Sequence, residues 1–179
     1  VTVMELAGKQ ASIFGMGRSA CAAARLLLAK GARPFVSDSG PAEALEMWTT
    51  QLDALGVPFE TGGHSARAMD GADLAVLSPG VPPGIAPVAA LRERGVPVLA
   101  ELELAWRFCE RPILAVTGTN GKTTTTELLR AMIEACGHTA ALAGNNDNPF
   151  CGAVLEESQP EYFVIEVSSY QLETSDTLR

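Results

Sequence analysis

Short apolar runs recur along the chain at residues 9–14, 33–37, 57–60, 72–77, 96–99, 112–116, 139–143 and 162–167. Several are apolar at consecutive positions, which predicts parallel strands buried on both faces. Between the runs, apolar residues return every three or four positions and predict helices. One follows Gly17 and ends near Gly31, with Ala22, Ala23, Leu26 and Leu27 on its apolar face. Others are predicted over 41–55, 87–94, 101–109, 124–136 and 150–157. Leu102, Ala105, Trp106 and Cys109 point inward in the fourth, and Leu128, Leu129, Met132 and Ile133 form the apolar face of the fifth. Strand and helix alternate throughout, so the fold class is α/β with parallel sheets.

Composition narrows this picture. The 179 residues are 47% hydrophobic and 19% charged, which suits a soluble globular chain large enough for one or two cores. The net charge is −8, and acidic residues outnumber basic ones on both sides of Glu110. With no basic face, neither nucleic acid nor a membrane is expected as a partner. A bound anion must then be held by backbone N–H groups and a few placed cations. Cys21, Cys109, Cys136 and Cys151 lack paired spacing and read as small buried residues of a reducing compartment. His64 reads as a solvent-exposed loop residue, and His138 as part of a turn. No apolar run approaches the roughly 20 residues of a membrane span, and the first residues lack a signal pattern, so a cytoplasmic location is expected.

Two stretches carry candidate chemistry. Gly15-Met16-Gly17-Arg18-Ser19-Ala20 follows the first strand, opens a helix, and precedes a strand that closes on Asp38. This is a βαβ unit with GxGxxA and an acidic residue where a ribose-binding carboxylate usually lies. The Ser78-Pro79-Gly80 loop follows another parallel strand and falls on the same carboxyl edge. The second stretch is Val116 to Thr124, within which TGTNGKTT follows the valine and Thr125 extends it to TGTNGKTTT. An apolar strand precedes it and a helix follows, the layout of a phosphate-binding loop, although Val116 stands where the general pattern has its first glycine. Gly118, Thr119, Asn120 and Gly121 would form the cradle. Lys122 would reach the β/γ-phosphates, and Thr123 would bind magnesium, with Thr124 beside it. Glu166 ends an apolar run, where a carboxylate is costly unless paired or bound to a metal. Glu110-Arg111-Pro112 separates the two stretches. The expected organisation is a Rossmann-like domain over 1–110, followed by the first part of a P-loop α/β ATPase domain over 111–179.

Read together with Gly144-Asn145 and with the Ser168-Ser169-Tyr170-Gln171-Leu172-Glu173 run, TGTNGKTTT resembles the ATP-dependent Mur ligase family of peptidoglycan synthesis. That family also lacks the first glycine of the loop. Within it, the SSYQLE run is similar to the SSFQLE signature of the D-glutamate-adding branch. The amino-terminal GxGxSA, Asp38 and Ser78-Pro79-Gly80 resemble the domain that holds the UDP-sugar there. Asn146 and Asp147 depart from the usual GNIG loop.

The resemblance implies an enzyme that joins D-glutamate to UDP-N-acetylmuramoyl-L-alanine with ATP and Mg²⁺, through an acyl phosphate, as a monomer. Lys122, Asn145 and Glu166 would be catalytic, with Thr123 on a first magnesium and Glu166 on a second. Gly15, Gly17, Arg18, Ser19, Asp38, Ser78 and Gly80 would hold the UDP portion. It also implies that a third domain is absent and that the chain alone would not turn over. Another Mur-type or folylpolyglutamate-type ligase, an NAD(P)-dependent oxidoreductase and a non-catalytic nucleotide-binding module remain open at this point.

Overall fold

The computed structural model describes residues 4–145, 148–173 and 175. In chain order the first group of elements is β1 (Gln10–Phe14), α1 (Arg18–Ala29), β2 (Arg33–Ser37), α2 (Ala42–Ala54), β3 (Phe59–Glu60), β4 (Leu74–Leu77), α3 (Ala86–Glu93), β5 (Val98–Ala100) and α4 (Glu101–Trp106). Its strands form one parallel sheet in the order β3-β2-β1-β4-β5. The second group is β6 (Ile113–Val116), α5 (Lys122–Ala135), β7 (Ala140–Gly144), α6 (Phe150–Ala153), β8 (Tyr162–Glu166) and α7 (Ser169–Glu173). Its three strands are also parallel, in the order β6-β8-β7.

The first sheet is buried on both faces. One face packs beneath α1, whose Ala20, Ala22, Ala23 and Ala24 let the helix approach closely, together with Leu26, Leu27 and Leu52. The other holds Phe14, Phe35, Leu77, Val88 and Leu91. The first core does not stop at the first sheet. Phe150, Cys151, Phe163 and Ile165 of the second group belong to the same apolar cluster as Leu102 and Leu104 of α4. The short helix α6 makes this join, resting on α1 and α4 while Phe150 meets Phe163 edge-on at 5.3 Å.

Several expectations shift. β5 begins at Val98 because Pro97 has no N–H for the ladder; its carbonyl instead accepts from Ala75 N at 2.8 Å. α4 ends at Trp106, leaving Trp106 and Cys109 half-buried, while Glu101 and Glu103 are buried with Leu102 and Leu104. α6 stops at Ala153, where the chain turns with Leu155 N on Gly152 O. On α5 the expected apolar face is only partly covered. Leu129 and Ile133 are half-buried, but Leu128 and Met132 are 59% and 56% exposed, because three strands cover only one stripe of the helix.

Two side-chain expectations are corrected. His64 is half-buried rather than solvent-exposed: its Nδ1 lies 2.7 Å from Ser37 Oγ, and its ring meets Phe14 edge-on. Cys21 and Cys151 are buried as expected, but Cys109 is half-buried and Cys136 is exposed at the end of α5. The expectation for Asn146 and Asp147 falls outside the described residues.

Candidate functional site

In the first sheet, β1 sits between β2 and β4, so the connections leave in opposite directions from β1 and β4. A crevice opens there at the carboxyl ends. Gly15 and Ser78 face each other across it. Ser78 N donates to Phe14 O at 3.0 Å and Ser78 Oγ to Gly15 O at 3.1 Å. Gly17 caps α1 in an extended conformation, Ser19 is half-buried, and Arg18 is exposed at the first position of the helix. Asp38 has a local task. Its carboxylate accepts from Met16 N and from Gly40 N, holding the turn after β1 against the end of β2.

Ser37, next to Asp38, anchors a second network. Its hydroxyl donates to Glu60 Oε1 at 2.7 Å, so the 2.7 Å contact with His64 is an Nδ1–H donating to Ser37 Oγ. Burial is the largest single influence on the Glu60 carboxyl and raises it, but the bonds from Ser65 and Ser37, with His64 nearby, together hold it below its ordinary value.

The second sheet brings three predicted residues together. β8 is its central strand, so Glu166 at its end lies between the starts of two loops. Its register partners are Val116, which opens the glycine loop, and Gly144, which precedes Asn145. Thr123 Oγ1 donates to Glu166 Oε2 at 2.7 Å, and Asn145 Nδ2 to Oε1 at 3.1 Å. Asn145 N also donates to Glu166 O at 2.8 Å. Glu166 is 5% exposed, and the Thr123 bond leads the causes that keep its carboxyl low, helped by Asn145 and the nearby Lys122 charge and opposed by burial.

Gly144 makes this closeness possible. It has φ +104°, and a Cβ there would stand 2.3 Å from Glu166 O. Gly121 caps α5 with φ +77°, and Lys122 Nζ folds back onto Gly118 O at 3.0 Å. Gly118, Thr119, Asn120 and Thr124 are exposed, so the loop is open to a ligand.

The two carboxyl edges meet. A cavity of about 370 Å³ is walled by the 77–83 segment after β4, by Ala100 and Glu101 after β5, and by Gln171 after β8. Glu101 was not singled out by the sequence, because an acidic residue at the start of a helix ordinarily faces water. Here burial pushes its carboxyl up to about 7, opposed by bonds from Cys151. Among the described residues no cluster of three or more His, Cys, Asp or Glu forms a metal site, and no helix is long and apolar enough to cross a membrane.

Comparison with known proteins bears on the family. The family description "Mur ligase MurD-like, N-terminal domain" matches residues 9–100, and "Mur ligase middle domain" matches residues 116–179. The chain is 44% identical over 180 residues to a UDP-N-acetylmuramoylalanine--D-glutamate ligase of Pelodictyon phaeoclathratiforme. It is 40% identical over 176 residues to the ligase of the same name from Desulfosudis oleivorans. Each alignment covers 98% of this chain and 38% of the relative, so the chain spans well under half the length of either.

Among solved structures, the UDP-N-acetylmuramate:L-alanyl-gamma-D-glutamyl-meso-diaminopimelate ligase of Neisseria meningitides superposes with a TM-score of 0.59 at 24% identity. That match covers 96% of this chain and 55% of the other, and at this identity it speaks to the fold. A UDP-N-acetylmuramate-alanine ligase of Thermotoga maritima gives 0.51 at 24%, covering 89% and 37%. With two of the family's domain descriptions matching in order, one of them over more than half its length, the chain belongs to the Mur ligase family.

Proposed function

We propose that the protein carrying this chain adds D-glutamate to UDP-N-acetylmuramoyl-L-alanine at the expense of ATP, in the cytoplasm and as a monomer. Residues 1–110 form its UDP-sugar domain, and 111–179 begin its ATP domain. The observation that carries the reading is the cavity shared by the two carboxyl edges. It lets a ligand held beside Gly15 and Ser78 extend toward the tip of β8, where Glu166 faces the glycine loop.

The γ-phosphoryl group passes from ATP to the alanyl carboxylate, giving an acyl phosphate and ADP. The D-glutamate amine then attacks the carbonyl carbon, the amide bond forms, phosphate leaves and the amine proton goes to solvent. The first step is phosphoryl transfer, so positioning and charge neutralisation carry it. The backbone of Gly118, Thr119, Asn120 and Gly121 cradles the phosphates, Thr124 flanks them, and Lys122 leaves Gly118 O to meet the β/γ-oxygens. Asn145 orients the acceptor carboxylate. Gly15, Gly17, Arg18, Ser19, Asp38, Ser78 and Gly80 hold the UDP portion.

The donor set also suits magnesium. An ionised carboxylate and a hydroxyl 2.7 Å apart are hard oxygen ligands. Thr123 and Glu166 would hold the ion, which would neutralise phosphate charge.

Titration calorimetry tests the reading. UDP-N-acetylmuramoyl-L-alanine is expected to bind and NAD⁺ is not; NAD⁺ binding without the UDP-sugar would favour an oxidoreductase on the first βαβ unit. In the full-length enzyme, Lys122→Ala should lower the ligation rate by roughly three orders of magnitude, the scale set by a lost charge-neutralising contact in phosphoryl transfer, with UDP-substrate affinity kept. An equal loss in both would contradict the role given to Lys122.

A further inference from the structure

Glu101 lies at the seam between the two groups of elements. It opens α4, directly after β5, and is 2% exposed. Its Oε1 accepts from Cys151 N of α6 at 2.7 Å, and its backbone carbonyl faces Cys151 Sγ at 3.3 Å. Two contacts therefore tie one residue of the first group to one residue of the second. Around these contacts α6 rests on α1 and α4 with Phe150, Cys151 and Ala153 in the shared apolar cluster, and the Ala105 backbone of α4 also bonds the Cys151 thiol. Glu101 and Ala100 also wall the 370 Å³ cavity, together with the Ser78-to-Pro83 loop and Gln171.

We propose that Glu101 is a positioning residue of the acceptor site: by gripping the Cys151 amide it sets the spacing between the two carboxyl edges, and so the width of the cavity through which the acceptor reaches the glycine loop. The inference rests on the ligase reading. A buried carboxyl in an apolar seam opposes folding when ionised, and α4 could have packed with leucine in its place. Its retention at the seam fits a directional bond that apolar packing cannot supply. The bond needs an acceptor oxygen at this position, not a charge. Glutamine supplies that oxygen; methionine fills a similar volume without it.

The test uses the full-length enzyme with Glu101→Gln, Glu101→Ala and Glu101→Met, the last in case the alanine variant does not fold. In the alanine and methionine variants, KM for UDP-N-acetylmuramoyl-L-alanine is expected to rise about tenfold, with KM for ATP within twofold. The Cys151 amide should exchange its hydrogen at least tenfold faster. Glu101→Gln should restore all three quantities to within twofold of wild type. A methionine variant with unchanged acceptor KM, equal changes in the two KM values, or a glutamine variant as impaired as methionine would each overturn the proposal. A wild-type enzyme without ligation activity would sink the ligase reading instead, and the exchange rates would still decide whether the Glu101–Cys151 bond holds the seam.

Discussion

The Glu166 carboxylate is held by a hydroxyl from the glycine-loop helix on one oxygen and an amide from the β7 loop on the other. It stays ionised through bonds rather than through exposure. Thr123→Val removes the first of these bonds, so the Glu166 pKa should rise toward its ordinary value, read by carboxyl-carbon NMR titration. A lowered pKa also makes Glu166 stabilising above the ordinary carboxylate range, a contribution lost as pH falls through the lowered value. The same contacts depend on Gly144. A methyl group there would meet Glu166 O, and its φ is positive, so Gly144→Ala should cost about 1–3 kcal/mol of stability. Displacing Asn145 from Glu166 should also cost roughly 100-fold in ligation rate. Denaturant titration and steady-state kinetics check the two effects separately. The sequence marked Thr123 within the glycine loop and Glu166 at the end of an apolar run, and Asn145 came with the family resemblance. Their convergence depends on β8 lying between β6 and β7, which no local pattern encodes.

Among the elements, β1 carries an anomaly. Ser12 is 1% exposed in mid-strand and its Oγ has no hydrogen-bond partner. Burying a hydroxyl without a partner is unfavourable, so Ser12→Ala should stabilise by about 1 kcal/mol, measured by urea unfolding. Strand and helix positions were otherwise legible, because periodicity reflects burial directly and most of these elements bury one face or two. Boundaries moved where a local feature prevailed: Pro97 delayed β5, and the turn at Gly152 shortened α6. His64 was misread for a different reason. Nothing beside it in sequence announces a partner, since Ser37 and Phe14 reach it only through the parallel pairing of β1, β2 and β3.

For the molecule as a whole, the buried Glu101 predicts an unusual pH response. Its folded-state pKa is raised to about 7 by burial, from an ordinary 4.5. Between those values the folded state holds more protons than the unfolded one, so this group's contribution to stability falls as pH rises from about 4.5 through about 7. Thermal melts from pH 5 to pH 8 should show that decline on top of the response of the other groups, and Glu101→Gln should flatten it and melt higher than wild type at pH 8. A wild-type curve with no excess decline over the glutamine variant would place the Glu101 carboxyl outside the seam.

The alternation of strand and helix, the two glycine-rich turns, the cost of a carboxylate at the end of β8 and the family likeness were all present in the linear sequence. Each depends on neighbours a few residues apart, where backbone geometry and burial leave a periodic trace. The order of strands, the contact of one sheet's edge with the other, the fixing of Asp38 in a turn and the burial of Glu101 against Cys151 came only with the tertiary structure. Those features join residues tens of positions apart, and the energy that selects them is the packing of whole faces rather than the preference of any one segment.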